Sequence, residues 1–263
     1  MKALTLLLFV AGATVGCSAV YPEIAPPLKV PPTGRRIEPS PPANLLYIDF
    51  VSAEVPPTTR DGRPWDSLGG SLPDPFAKLI VDDREIIKTP IQADTLKPTW
   101  PDQTRANYWI QPGAGVRVEI WDSNPLNNHP ICIKKIRDIH EQAGPIPYDI
   151  DCDSGAHVRM RVEPAHPLWG LGFNYELSST GAAVSHVFPQ SPAARAGLAV
   201  GEDIVEIQGK RVDKMESGEP QSLINANAQV GVDLLLRAKD GAERRVTIKE
   251  GVVYPASDDG VPL

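Results

Sequence analysis

Positive charge, cysteine and histidine are all scarce in this 263-residue chain, and each scarcity removes a class of function. Lys and Arg number 26 against 33 Asp and Glu, a net charge of −7 at neutral pH. Nucleic acid is therefore not an expected partner, because its binding rests on neutralising phosphates. The five histidines, His129, His140, His157, His166 and His186, fall in no nucleophile or metal motif such as Gly-x-Ser-x-Gly or His-Glu-x-x-His, so no enzyme is expected. The three cysteines, Cys17, Cys132 and Cys152, share no zinc-ligand spacing with them. The apolar run from Ala3 to Ala13 is too short for a membrane-spanning helix.

That run follows Met1-Lys2 and closes with Thr14-Val15-Gly16-Cys17, the pattern of an export signal over residues 1–16. The Gly16-Cys17 ending resembles the lipobox of bacterial lipoproteins, which implies lipidation of Cys17 as the first mature residue. Thr14 departs from the Leu usual in that motif, and the alternative is an ordinary cleaved signal with an incidental cysteine. Ser18 after the cysteine is not an inner-membrane retention aspartate, so the expected location is the cell envelope, at the outer membrane facing the periplasm. Export leaves Cys132 and Cys152 as a pair in an oxidising compartment, where a disulfide is expected. Residues 17–43 then read as a lipid-anchored tether. Eight prolines lie between positions 22 and 42 with almost no apolar periodicity, which favours an extended polyproline segment over a Pro-rich ligand for another module.

The most informative stretch is Trp169-Gly170-Leu171-Gly172-Phe173. Two glycines let successive N–H groups converge on an anionic oxygen pair, and Leu171 and Phe173 would floor an apolar pocket beside them. Asn174 to Leu177 reads as a strand whose open edge could accept a peptide as an added strand. A plain turn between two strands is the simpler reading. Downstream, Ala182 to Val187 reads as a strand, and Ser191-Pro192-Ala193-Ala194-Arg195-Ala196-Gly197-Leu198 as a short helix with Pro at its start and Gly past its end. Val200 to Val212 reads as turn, buried strand and turn. A helix near Gln221 to Ala228 precedes strands at Val232–Arg237 and Arg244–Lys249, joined by Asp240-Gly241. The Gly-Leu-Gly-Phe loop, the Ser-Pro-Ala to Ala-Gly-Leu helix and the run from Val200 to Val212 resemble the PDZ domain, over residues 165–252. That resemblance implies a peptide-binding site at Gly170, Leu171, Gly172, Phe173, Asn174 and Tyr175, with Leu223 and Ile224 lining it from the helix. Ordinary core packing is the alternative for the last two. The basic residue often found before this loop is missing, with Ala165, His166 and Pro167 in its place. Residues 253–263 read as a flexible tail.

Residues 44–164 show short strands between Pro- and Gly-containing loops and no long helical pattern, which suggests an antiparallel β-sandwich. Leu45 to Phe50, Pro73 to Leu79, Lys88-Thr89, Leu96 to Trp100 and Val116 to Asp122 resemble, in order, the segments of the C2 domain. Many C2 domains bind calcium through loop carboxylates. Carried over, that implies Asp74 and Asp122 as ligands, with Asp66 as an unaligned third. Asn124 and Asn128 stand where further carboxylates belong, so a calcium site would be weak. The alternative is that these aspartates cap loops. The expected architecture is therefore mostly β with minor α, a C2-like antiparallel sandwich followed by a PDZ-like, partly open β-barrel with two short helices. The function it implies is a non-enzymatic scaffold without cofactor, binding protein C-termini or extended peptides. A calcium-dependent phospholipid-binding protein, or a regulatory partner of an envelope protease, are the alternatives.

Overall fold

A computed structural model describes residues 21–25, 28–34, 36–65, 72–100, 103–178 and 181–257. Cys17 and Asp66 lie outside them, and so do residues 1–16, so the expected export signal and lipidation fall outside the described residues. The strands, in chain order, are β1 (Tyr21–Ala25), β2 (Leu45–Glu54), β3 (Pro75–Val81), β4 (Arg84–Lys88), β5 (Ala106–Trp109), β6 (Val116–Asp122), β7 (His129–Ile136), β8 (Tyr148–Asp151), β9 (His157–Pro164), β10 (Leu168–Gly170), β11 (Phe173–Ser178) and β12 (Gly181–Val187). After helix α1 (Pro192–Arg195) come β13 (Asp203–Ile207) and β14 (Lys210–Arg211). Helix α2 (Glu219–Asn227) is followed by β15 (Val232–Arg237), β16 (Glu243–Ile248) and β17 (Gly251–Val253). The described fold is mostly β with two short α-helices, as the patterning implies.

The first unit is an antiparallel sandwich. One sheet has the order β5-β2-β9-β8 and the other β4-β3-β6-β7. Alternation along the strands sends Ile48, Phe50, Leu79, Val118, Ile120, Met160 and Val162 between the sheets. Trp100 is fully buried there, edge-on to Phe50, and its indole N–H donates to the Pro90 carbonyl at 2.9 Å. Cys132 on β7 is bonded to Cys152, which follows β8, so the bridge joins the two sheets across a Cα separation of 5.7 Å.

The second unit is an antiparallel sheet in the order β1-β11-β12-β13-β15-β16, with β14 paired to β13. Its core collects Leu171, Phe173, Tyr175, Val184, Ile204, Ile207, Leu234, Leu236 and Ile248, closed by Ile224 of α2. The sheet does not close into a barrel. Strands β15 and β16 pair across the turn at Asp240-Gly241, where Gly241 has φ +88°.

The ends of this second unit depart from the sequence reading. Residues 253–257 are not a flexible tail: β17 pairs with β10, and Val253, Tyr254, Ala256 and Ser257 are buried. Tyr254, Val252 and Ala256 form a separate apolar cluster with Leu45 of β2 and Ala165. Asn107 of β5 ties the seam. Its amide NH2 donates to the carbonyls of His166 (2.9 Å) and Pro255 (2.8 Å), and its Oδ1 accepts from the His166 N–H at 2.8 Å. This covering explains why β2, whose sequence alternates like a one-sided strand, is buried on both faces from Leu45 to Phe50. The Pro-rich segment also departs from a free tether. Residues 21–25 form a strand, Ile37 packs on the seam cluster, and the Tyr254 hydroxyl donates to the Pro39 carbonyl at 2.7 Å.

Candidate functional site

The site lies between strand β11 and helix α2, where the Gly-Leu-Gly-Phe loop leads into the sheet. Its floor follows from the glycine loop. Leu171, Phe173 and Tyr175 point into the core and are fully buried. The Tyr175 hydroxyl crosses to α2 and donates to Gln221 Oε1 at 2.9 Å, so its ring spans the floor of the groove. Gln221 carried no sequence signal, because a polar residue in the first turns of a half-buried helix is ordinary. Ile224 is wholly buried core, whereas Leu223 is partly buried against it. The core-packing alternative thus holds for Ile224. Asn174 carries a buried side-chain carbonyl without a hydrogen-bond partner among the described residues, an acceptor that a ligand's donor could fill.

Gly170 pairs in β10 with Gly251. Gly172 sits at φ +84°, a backbone conformation that a side chain disfavours. A Cβ at Gly172 would not meet a ligand, as the loop sequence suggests. It would lie 2.2 Å from Ser191 Cβ, 2.6 Å from Ser191 Oγ and 3.2 Å from Val253 Cγ2. Ser191 is fully buried and caps α1: its Oγ accepts from the Ala194 N–H at 3.2 Å and donates to the Gly172 carbonyl at 3.0 Å. The glycine therefore allows α1 to dock against the loop. His166, standing where a basic residue is missing upstream, is turned to the sandwich. It stacks on Tyr47 with ring centroids 3.6 Å apart and its Nε2 donates to Glu163 Oε2 at 2.5 Å.

The edge of β11 is already paired. Strand β1 runs antiparallel along it, with Tyr21 opposite Leu177, Glu23 opposite Tyr175 and Ala25 opposite Phe173, and it touches α2 on its other side. Beyond the glycine loop the same register continues: Lys29 and Trp169 exchange N–H to carbonyl bonds of 2.8 and 2.7 Å. The Lys29 ammonium also lies 3.5 Å from Glu250. Residues 21–25 and Lys29 thus pair in one register on the two sides of the loop.

Asp74 and Asp122 are brought together at one end of the sandwich, but their carboxylates are engaged. Asp122 is fully buried and accepts from the Asp74 N–H at 2.8 Å through one oxygen and from the Asn124 amide at 2.8 Å through the other. A carboxylate only accepts, so Asn124 must present its NH2 to it. Asp74 accepts from the Asp94 N–H at 2.7 Å. Both act as loop caps here. Among the described residues no group of three or more His, Cys, Asp or Glu is placed to hold a metal ion.

Residues 160–237 match the family model of the PDZ domain and residues 46–137 that of the C2 domain, which supports a C2 domain followed by a PDZ domain. Similar solved structures include the calcium-bound pair of C2 domains of Extended-Synaptotagmin 2, at 10% identity over 82% of this chain and 98% of that one, TM-score 0.41. A C2 domain of plant Extended Synaptotagmin 1 is similar at 17% identity over 49% of this chain and 98% of that one, TM-score 0.36. Human GIVD cytosolic phospholipase A2 is similar at 16% identity, TM-score 0.35, over 54% of this chain and 20% of that enzyme. No curated protein matches.

Proposed function

We propose that the chain is a non-enzymatic scaffold whose C-terminal domain binds extended peptide segments of partner proteins as an added strand on β11. The observation that carries this reading is the pairing of β1 with that edge, in register on both sides of the glycine loop. Backbone pairing supplies affinity in such a mode and side-chain pockets supply selectivity. The PDZ match over residues 160–237 supports the same reading. The sandwich is a rigid base rather than a second site. Asn107 and the seam cluster weld it to the peptide domain, and the hydrogen bonds to the carboxylates of Asp74 and Asp122 support a loop-capping role for them. The proposal keeps Cys17 as a lipid anchor in the cell envelope, motivated by the short apolar run ending in Gly16-Cys17.

Titration of the chain with free-acid, C-terminally amidated and doubly capped peptides tests the binding mode. Strand addition expects saturable binding of capped internal peptides. If only free acids bind, the terminal carboxylate is the ligand and the strand-passing mode is wrong. If no peptide binds, even with β1 disabled, the binding function falls. Mass spectrometry of membrane-extracted protein tests the anchor, and an unmodified N-terminus at another residue overturns it.

A further inference from the structure

We propose that β1, residues 21–25, together with Lys29 is a built-in competitor that closes the peptide groove in cis, so that a partner segment binds only by displacing it. The inference rests on the strand-addition reading above and adds regulation to it. Two observations carry it: β1 pairs with β11 from Phe173 to Leu177 while lying close to α2, and Lys29 continues the same register beyond the loop.

The segment is suited to be displaced. Proline at positions 22, 26 and 27 leaves the segment with few N–H groups of its own, and only five residues of it pair with β11. What compensates is covalent attachment. A segment held on a short linker competes at an effective concentration in the millimolar range, so a free peptide of equal intrinsic affinity is outcompeted until it approaches that concentration. Occupancy also has a mechanical consequence. Three residues separate Cys17 from Tyr21, which allows at most about 15 Å of chain between a lipid anchor and the bound strand. With Ile37 and Pro39 still held on the seam, release of the segment would let the chain between Cys17 and Ile37 extend to about 60 Å, at about 3.1 Å per residue. Binding a partner would thereby change how far the domains stand from the membrane.

The test compares the intact chain with Glu23→Pro/Ile24→Pro. In an antiparallel edge strand alternate N–H groups face the neighbour, so replacing two adjacent residues removes the facing donor whichever it is. The probe is a labelled synthetic peptide with the sequence of residues 21–29, capped at both ends, in fluorescence anisotropy. The variant is expected to bind it at least about 10-fold more tightly than the intact chain, in line with relief of a millimolar cis competitor. Hydrogen exchange gives an independent reading: the β11 amides are protected in the intact chain without peptide, and in the variant only when peptide is added. Equal peptide affinity with equal β11 protection overturns the cis closure while leaving the binding function standing. Protected β11 amides in a variant that binds no peptide would mean the edge is covered otherwise, and both readings fail. A dimer of the intact chain by light scattering that becomes monomeric in the variant would show that the strand is exchanged between copies, which overturns closure in cis.

Discussion

Replacing Gly172 by alanine is expected to unfold the peptide domain rather than to block its ligand, and the magnitude follows from the geometry. The new Cβ falls 2.2 Å from Ser191 Cβ and 2.6 Å from its Oγ, inside any tolerable contact, and φ is +84°. The left-handed backbone costs a non-glycine residue about 1–2 kcal/mol, and overpacking a filled core costs about 1–3. If Ser191 moves away to relieve the clash, the α1 cap and its bond to the Gly172 carbonyl go with it, roughly 1 kcal/mol more. The total is about 3 to 6 kcal/mol, a large share of the 5–15 kcal/mol that typically holds a domain folded. With a urea slope of about 1–3 kcal/mol/M, the midpoint should fall by about 2 M. Equilibrium urea unfolding, followed by hydrogen exchange in β11 and α1, measures it. A second arm isolates the cause: Ser191→Gly removes the atoms in collision, so combined with Gly172→Ala it should show a favourable coupling of about 1 kcal/mol or more. A loss below about 1 kcal/mol for Gly172→Ala, or strict additivity in the double variant, would refute the packing argument and return the loop to a ligand-facing role.

Asn107→Ala should cost about 2 kcal/mol, because it leaves the part-buried His166 N–H and carbonyl and the buried Pro255 carbonyl without these partners, and limited proteolysis should then cut near Ser257. Reducing Cys132–Cys152, which spans 20 residues, should lower the sandwich's stability by about 3 kcal/mol in denaturant titration. Millimolar calcium should leave the melting temperature unmoved, whereas a native-state ligand at 100 times its Kd would add about 2.7 kcal/mol; a clear upward shift reinstates a site at Asp66, Asp74 and Asp122. Burial first, then the charge of Asp49 and the nearby Tyr47, pushes the Tyr108 hydroxyl up to about 12. The fold favours the neutral phenol, so this contribution to stability is intact below pH 10 and is lost as pH rises towards 12. Ultraviolet titration of wild type against Tyr108→Phe checks it.

The parts of this protein legible in its residues are those whose causes are local. Period-two alternation marks most strands, Ser191-Pro192 and Gly197 bracket α1, and Asp240-Gly241 sets the β15–β16 hairpin. The cysteine pair was legible by counting. What each of these parts faces was settled only by the folded chain. Gly172 reads in sequence as room for a ligand, yet the atoms that need the room belong to Ser191 and Val253, both distant along the chain. Leu45 to Phe50 reads in sequence only as one strand of the sandwich, yet the seam cluster covers Leu45 and His166 stacks on Tyr47. Residues 21–29 read as a tether because proline erases apolar periodicity, while pairing onto a sheet edge uses backbone groups that every residue carries except proline nitrogen. Local pattern specifies an element, but which edge or cavity it fills depends on what surfaces the rest of the chain leaves open.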